Sequence, residues 1–178
     1  MVVWAAWIPA IGSYMVESSN EPFNPKVGAI RFDSRSPKDI DFRKVKEGSS
    51  GGTIVAASQL LEESTIRLQE FLSVDSLANL AIVHGNDGTW HAHGDPTEIA
   101  IQVFAHRFTW SRRTMVGQTA EWKELAELPF DREVKRMSDI MQQNSTGQKW
   151  VFTKGAVERI IGACTGMSLT SSSISSRN

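Results

Sequence analysis

Short apolar runs alternate with turn-forming residues along the first third of the chain. The apolar runs cover residues 2–8, 12–16 and 27–32, and Pro and Gly separate them. Runs of β-branched and aromatic residues bounded in this way are typical of strands. After residue 32 the apolar positions give way to charged residues, Ser and Gly, so we expect residues 33–55 to form a flexible loop.

The apolar residues in the middle of the chain recur at helical spacing. Residues 56–72 and 75–81 each place Leu on one face among polar positions, which predicts two helices. Two β-prone runs then flank the sequence Gly-Asn-Asp-Gly at residues 85–88. These four residues tolerate positive φ, so this segment predicts a β-hairpin.

A further helix is predicted from residue 96 to about residue 107. Asp95 suits the N-cap, and Pro96 suits the first helical position. Glu98 stands three residues after the cap, where a Glu side chain completes a capping box. The face that we expect to be buried consists of Ile99, Val103 and Phe104.

The last third of the chain predicts three strands and a short helix. The strands cover residues 122–129, 134–141 and 149–153. Turn formers at residues 144–147 predict antiparallel pairing of the last two strands, and residues 157–163 suit a closing helix. We therefore expect an α+β fold in which helices flank an antiparallel β-sheet.

Composition and charge narrow the classes of function. The 178 residues suit one domain, and 40% apolar residues are enough for a core. A net charge of −1 provides no general field for nucleic acid, so we expect no nucleic-acid partner. The longest apolar stretch, residues 2–11, is too short for a membrane helix, so we expect a soluble cytoplasmic chain without membrane insertion. The Ser-rich residues 167–178 predict a disordered tail.

The residues alone suggest little catalytic chemistry. His91 and His93 would share one face of a strand, but no further Cys or His stands at metal-ligand spacing, so we expect no metal site. The single cysteine, Cys164, suits a reducing compartment and is a weak candidate for a nucleophile. The residues alone therefore leave one hypothesis open, a stand-alone hydrolase that uses Cys164 or the histidines.

Three segments of the second half carry a stronger signal together than any of them does alone. They are Gly-Asp-Pro-Thr-Glu at residues 94–98, a Phe-to-Ser segment at residues 130–138, and Lys-Gly-Ala-Val-Glu at residues 154–158. Their sequence, order and spacing resemble the motifs of the nucleotide-binding (N) domain of P-type ATPases.

The resemblance points to the fungal branch that exports sodium or potassium, and Val157 in the place of a Pro agrees with that branch. It implies that residues 1–32 are strands that leave the phosphorylation domain and enter the N domain, which then covers residues 33–166. The segments that look most like the fungal branch are residues 7–9, 19–25 and 95–105.

The resemblance implies roles for two residues at the adenine ring. Phe130 would stack on the base, an interaction that contributes roughly 1–3 kcal/mol in nucleic-acid sites. The alternative role for Phe130 is that of a core residue. Glu98 would accept a hydrogen bond from the adenine amino group, and its alternative role is the capping box; the two carboxylate oxygens suffice for both.

The resemblance also implies that basic residues meet the charged part of the nucleotide. Lys135 and Lys154 would place ammonium groups there, and Arg132 would face the phosphates with its planar guanidinium. The alternative is a solvated cationic strand face. Gly155 would allow the backbone to approach the ligand closely. Two further residues belong to the same pattern, Thr97 and Ala156.

Intact members of this family transfer the γ-phosphoryl group of Mg-ATP to an aspartate and couple this step to ion transport. The present sequence contains no Asp-Lys-Thr-Gly-Thr segment, so we expect it to bind ATP without turning it over. Its partners would be ATP and the phosphorylation and membrane domains of a parent pump, on the cytoplasmic side of the plasma membrane. The sheet would be incomplete, because N domains of the family continue beyond the Lys-Gly-Ala segment. The competing hypothesis is a truncated fragment or interaction module without ligand function.

Overall fold

The apolar runs near the start of the chain form an antiparallel sheet of four strands. The computed structural model describes residues 1–9, 11–17, 20–35, 37–41, 53–56, 59 and 66–166. The strands of this first sheet follow the order β1 (Ala5–Ile8), β2 (Gly12–Val16), β3 (Ile30–Asp33) and β4 (Thr53–Val55). β2 lies between β1 and β3, and all five of its residues are buried.

Two short ordered elements lie in the segment that we predicted as a loop. A 3-10 turn covers Pro37–Asp39, and β4 pairs with β3. The prediction of a loop throughout residues 33–55 is therefore wrong at these positions. Pairing with an existing sheet edge stabilises a strand whose own sequence is too short to signal it. Residues 36 and 42–52 of this segment lie outside the described residues.

Helix α1 (Ile66–Leu77) joins the end of the first predicted helix to the start of the second, so the predicted break between residues 72 and 75 is wrong. It ends at Leu77, and residues 78–81 continue without helical structure. Asn79 explains this end, because its side chain accepts the Ala81 backbone N–H at 2.9 Å and donates to the Glu98 carbonyl at 3.0 Å. Such bonds from an Asn side chain to the backbone compete with helix formation. Of the first predicted helix, residue 56 is not helical, and residues 57–58 and 60–65 lie outside the described residues.

The helix predicted from residue 96 is confirmed as α2 (Pro96–Arg107). Asp95 caps it, since its carboxylate accepts the backbone N–H of Thr97 at 2.8 Å and that of Glu98 at 3.4 Å. These bonds lower the pKa of Asp95, with the Thr97 N–H as the largest cause. The predicted buried face is also confirmed at Ile99, Val103 and Phe104.

The predicted β-hairpin consists of β5 (Ile82–Asn86) and β6 (Thr89–His93). Its two turn residues both have positive φ, 48° at Asp87 and 81° at Gly88. This backbone matches the twist of the two strands and is the reason why Asp-Gly favours such turns. The hairpin packs on α2 through the buried residues Ala81, Val83, Ile99 and Val103.

A cluster of buried aromatic residues joins the first sheet to the helices. The Phe108 ring lies between Tyr14 at 6.0 Å and Phe104 at 5.5 Å between ring centroids. Tilted and edge-to-face ring pairs of this kind are favourable beyond the area that they bury. Leu68 and Leu72 of α1 pack in the same cluster. Burial raises the pKa of Tyr14 to about 12.

The last three strands form the third sheet, after the four-stranded sheet and the two-stranded hairpin, with β8 in the middle. Its strands are β7 (Trp122–Asp131), β8 (Arg136–Gln143) and β9 (Lys149–Gly155), and the predicted antiparallel pairing of the last two is confirmed. Helix α4 (Val157–Ile160) follows, and a 3-10 turn (Ile161–Ala163) extends it. The buried inner face of β8 consists of Met137, Asp139 and Met141.

Arg112, at the start of the short helix α3 (Arg112–Met115), connects α1 to this third sheet. Its guanidinium donates to the Leu77 carbonyl, to Asp139 at 3.2 Å and to Glu124 at 2.5 Å. Asp139 is fully buried, and this burial is the main cause that raises its pKa to about 6, against the opposing effect of Arg112. A single guanidinium thus holds a helix end and two strands together.

These elements confirm the predicted α+β class with antiparallel sheets. Within the described residues, no helix is both long and apolar enough to cross a membrane. The predicted tail at residues 167–178 lies outside the described part of the chain.

The cap of α2 leads to a prediction about stability. Asp95→Ala removes the acceptor of two backbone N–H groups, so the free energy of unfolding should fall by about 1 kcal/mol. Asp95→Asn keeps an acceptor oxygen and is the control, which should stay within a few tenths of a kcal/mol of wild type. Urea unfolding at pH 7 measures both, and equal stability of the Ala and Asn variants would contradict the role of the cap.

Candidate functional site

The β7–β8 turn and the end of β9 lie at the same edge of the third sheet. Asp131 of β7 is opposite Arg136 of β8, which is opposite Gly155 of β9. The backbone of Gly155 lies so close to the turn that a Cβ atom there would stand 2.4 Å from the Lys135 carbonyl oxygen. The next backbone N–H, that of Ala156, donates to this same oxygen at 3.0 Å. The close approach therefore requires glycine at position 155.

Asp131 shapes the turn that carries three of the predicted site residues. Its carboxylate accepts the backbone N–H of Glu133 at 2.7 Å and that of Val134 at 2.9 Å. These two bonds lower the pKa of Asp131. Lys135 closes the turn with a positive φ of 54° and a backbone bond to the Asp131 carbonyl at 2.6 Å. The turn is thus held by the Asp131 side chain together with one backbone bond.

The aromatic residue of this turn is not part of the core. Phe130 is 57% exposed, so the alternative role as a core residue is wrong. Lys135 is also exposed and lies 3.5 Å from the Glu158 carboxylate, which is a loose surface pair. For Lys135 the structure agrees with a solvated cationic face. Arg132 is exposed on the same turn.

Lys154 of β9 has a different environment, because its side chain is largely buried. Its ammonium nitrogen lies 3.0 Å from a Glu98 carboxylate oxygen, and the two side chains are only 22% and 17% exposed. The nitrogen makes no hydrogen bond of standard geometry with the described residues, so the ion pair is its main stabilising contact. A solvated strand face is therefore the wrong description of Lys154.

Glu98 does not complete the predicted capping box. Its second carboxylate oxygen accepts the backbone N–H of Leu80 at 3.2 Å, and the first faces Lys154. The reason is that residues 78–81 run beside the start of α2 and bring their backbone within reach of the Glu98 side chain. The carboxylate thus links α2, the segment after α1, and β9.

Asp75 of α1 is a second acidic group near Lys154. Loss of solvation raises its pKa to about 7, and the charge of Lys154 acts in the opposite direction. Sequence reasoning missed this residue. The helical spacing could have identified it, because Asp75 follows Leu68 and Leu72 on the packed face of α1. A charged residue is unusual on such a face.

The structure brings the predicted residues together in two groups. Glu98 and Lys154 contact each other directly, and Thr97 lies beside Glu98 in the first turn of α2. The second group is the edge formed by the β7–β8 turn and the end of β9. Its members are Phe130, Arg132, Lys135, Gly155 and Ala156. Phe130 and Arg132 take no part in the ion pair between Glu98 and Lys154.

The raised pKa of Asp75 leads to a prediction about pH. The folded protein holds the proton more tightly than the unfolded chain does, so Asp75 opposes folding increasingly as the pH rises from its ordinary pKa of about 4 to about 7, and the effect is then complete. Asp75→Asn removes this titration and should therefore raise the free energy of unfolding at pH 8.5. The gain should be about 1.4 kcal/mol for each unit by which the pKa of Asp75 differs between the folded and unfolded states. This gain should shrink as the pH falls to 6.

Urea unfolding of wild type and Asp75→Asn at pH 8.5, 7 and 6 measures this difference. Asp87→Asn, at the exposed tip of the β5–β6 hairpin, is the matched control. A stability difference between wild type and Asp75→Asn that does not change with pH would contradict the prediction.

Comparison with known proteins places these features in a family. The family model described as P-type ATPase, cytoplasmic domain N, matches residues 67–175. The sodium/potassium exporting P-type ATPase 1 of Saccharomyces cerevisiae is 32% identical over 195 residues, which cover 92% of this chain and 18% of the relative. The sodium/potassium exporting P-type ATPase cta3 of Schizosaccharomyces pombe is 32% identical over 165 residues, which cover 92% of this chain and 15% of the relative.

More distant relatives match a shorter part of the chain. The calcium-transporting ATPase of Bacillus subtilis is 28% identical over 89 residues, or 50% of this chain and 10% of the relative. The chain therefore spans less than a fifth of the length of each relative named here. The predicted resemblance to the fungal sodium- or potassium-exporting branch is confirmed. The chain belongs to the family of the cytoplasmic N domain of P-type ATPases.

Proposed function

We propose that this chain binds ATP, as Mg-ATP in the full protein, at the edge formed by the β7–β8 turn, the end of β9 and the start of α2. The observation that carries this function is the contact between Glu98 and Lys154, which come from distant parts of the sequence, beside a turn that exposes an aromatic ring. An exposed Phe and a partly buried ion pair at the same end of the sheet offer an apolar face and charges to a ligand.

The adenine ring is assigned to Phe130 and Glu98. Phe130 exposes 57% of its surface and offers a ring face for stacking on the base. The Glu98 carboxylate has lone pairs left beyond its bond to Leu80 and accepts a hydrogen bond from the adenine amino group. Thr97, beside Glu98, belongs to the same side of the site.

The phosphates and ribose are assigned to the basic residues. Lys135 and Arg132 are exposed on the turn, so they reach a ligand without rearrangement of the core. Lys154 is held by Glu98, and an arriving nucleotide shares its ammonium group with that carboxylate. Gly155 and Ala156 form the backbone wall of the site, since a side chain at residue 155 would collide with the turn.

We propose that, in the full protein, this domain presents ATP to an aspartate of the phosphorylation domain. Transfer of the phosphoryl group to that aspartate would then drive the export of sodium or potassium. The relatives in fungi carry that activity in their names, and the chain corresponds to less than a fifth of their length. Residues 1–32 would connect to the phosphorylation domain, and the N domain would cover residues 33–166. The pump would lie in the plasma membrane with this domain on the cytoplasmic side. The chain alone would bind ATP without hydrolysing it.

Titration of ATP into the folded protein tests the site directly. Phe130→Ala removes a stacking surface worth roughly 1–3 kcal/mol, so it should weaken ATP binding by at least about fivefold. Lys154→Ala should weaken binding at least as much, because it removes a charge that meets the nucleotide and leaves Glu98 to repel the phosphates. Isothermal titration calorimetry with Mg-ATP gives the dissociation constants.

Two matched variants control for general effects. Phe23→Ala removes an exposed ring elsewhere, and Lys149→Ala removes a cation at the opposite end of β9. Both should bind ATP as wild type does. If all variants bind equally, the assignment of the site is wrong. If wild type shows no binding in the millimolar range and no thermal shift with ATP, the chain is a fragment without ligand function.

The role of Glu98 leads to a prediction about base specificity. ITP carries hypoxanthine, which has an oxygen where the adenine of ATP has an amino group. A carboxylate acceptor should therefore favour ATP over ITP. A Gln side chain both donates and accepts, so Glu98→Gln should reduce the ratio of the two affinities at least severalfold. Competition against a fluorescent ATP analogue measures the ratio, with Asp87→Asn as the control. An unchanged ratio in Glu98→Gln would remove Glu98 from the adenine pocket.

A further inference from the structure

Three carboxylates converge on one face of the third sheet. Glu127 of β7 is directly opposite Asp139 of β8, and Glu124 lies one β-bulge earlier on β7. One oxygen of each carboxylate lies within 4.8 Å of the other two. Arg112 contacts Glu124 and Asp139, so one positive charge faces three acidic groups.

One of these carboxylates has a buried oxygen without a partner. The Asp139 side chain is 0% exposed, and its Oδ2 atom accepts from Arg112 at 3.2 Å. Its Oδ1 atom has no hydrogen-bond partner among the described residues. A buried acceptor without a partner is destabilising, and native structures usually satisfy such an atom with a water or an ion. Because side chains of paired residues point to the same face of a sheet, the Asp139 carboxylate faces Glu127.

We propose that Glu124, Glu127 and Asp139 bind a divalent cation of the size of Ca²⁺. Calcium takes oxygen ligands at about 2.3–2.6 Å, so ligands on opposite sides of one ion lie about 5 Å apart. Magnesium ligands lie at about 2.0–2.1 Å, which limits the same separation to about 4.2 Å. The three oxygens lie within 4.8 Å of one another, so one calcium coordination sphere can take all three without movement of the strands.

The surroundings of the cluster allow the remaining ligands to come from water. Glu124 and Glu127 are exposed, so the buried Asp139 forms the floor and the solvent side stays open. Calcium needs six to eight oxygen ligands and commonly takes several of them from water. Arg112 continues to hold Asp139 through Oδ2, since the cation approaches Oδ1.

A cation at this position would add a link between β7 and β8. Arg112 already connects the same two strands to the end of α1. Binding to the native state alone stabilises it by mass action. The site does not include the residues proposed for ATP, and its test uses no nucleotide.

The experiment measures the thermal transition of the whole 178-residue protein. Samples at pH 7.5 contain EDTA, CaCl₂, MgCl₂, or NaCl at matched ionic strength. At a calcium concentration ten times the dissociation constant, the midpoint should rise by about 3–6 °C over the EDTA sample. Calorimetric titration with CaCl₂ gives the dissociation constant, which should lie in the range of weak sites, about 10⁻⁴–10⁻³ M.

Glu127→Gln is the diagnostic variant, because Glu127 does not contact Arg112 and its change leaves that network in place. It should weaken calcium binding at least about tenfold and abolish the thermal shift at the same concentration. Glu70→Gln, which removes an exposed charge from α1, should keep the full shift. No shift in wild type up to 10 mM calcium (roughly ten times the upper end of that range), or equal shifts in the two variants, would overturn the site. A shift of the same size with MgCl₂ would overturn the assignment to calcium.

Discussion

The ion pair between Glu98 and Lys154 is the contact on which the arrangement of the candidate site depends. It joins the first turn of α2 to the end of β9, and both side chains are mostly withdrawn from water. A charge in such a place is costly unless an opposite charge pairs with it, so each residue holds the other in position. The same carboxylate accepts the Leu80 N–H, which adds the segment after α1 to this junction. Three separate parts of the chain therefore meet at one side chain.

A second group of charges lies on one face of the same sheet. Arg112 binds the Leu77 carbonyl, Glu124 and Asp139, and so connects the end of α1 to β7 and β8. Buried pairs of this kind add little net stability compared with apolar packing, but the loss of one partner leaves the other charge unpaired. The third sheet is thus attached to the helices both by these charged groups and by an apolar cluster of Leu77, Trp122 and Met141. The first sheet is attached by aromatic and aliphatic packing.

Local chemistry explains which elements were predictable. The hairpin followed from Asp87-Gly88, and α2 followed from the Asp95 cap and its apolar face. The end of α1 was not predictable, because it depends on an Asn79 side chain that bonds to Glu98, a residue on another helix. The same applies to β4, a three-residue strand that exists only because β3 offers it an edge. The capping-box prediction for Glu98 failed for the related reason that distant groups, Leu80 and Lys154, compete for its carboxylate.

The sequence by itself determined the α+β class, the hairpin, the capped helix, and the family, since turn residues, caps and ordered motifs act over short distances. Only the tertiary structure decided that Phe130 is exposed and that Lys154 is buried against Glu98. It also decided that Asp75 stands near that lysine and that three carboxylates share one face with Arg112. The physical reason is that burial and the pairing of charges depend on which distant segments meet, and a linear pattern does not contain that information.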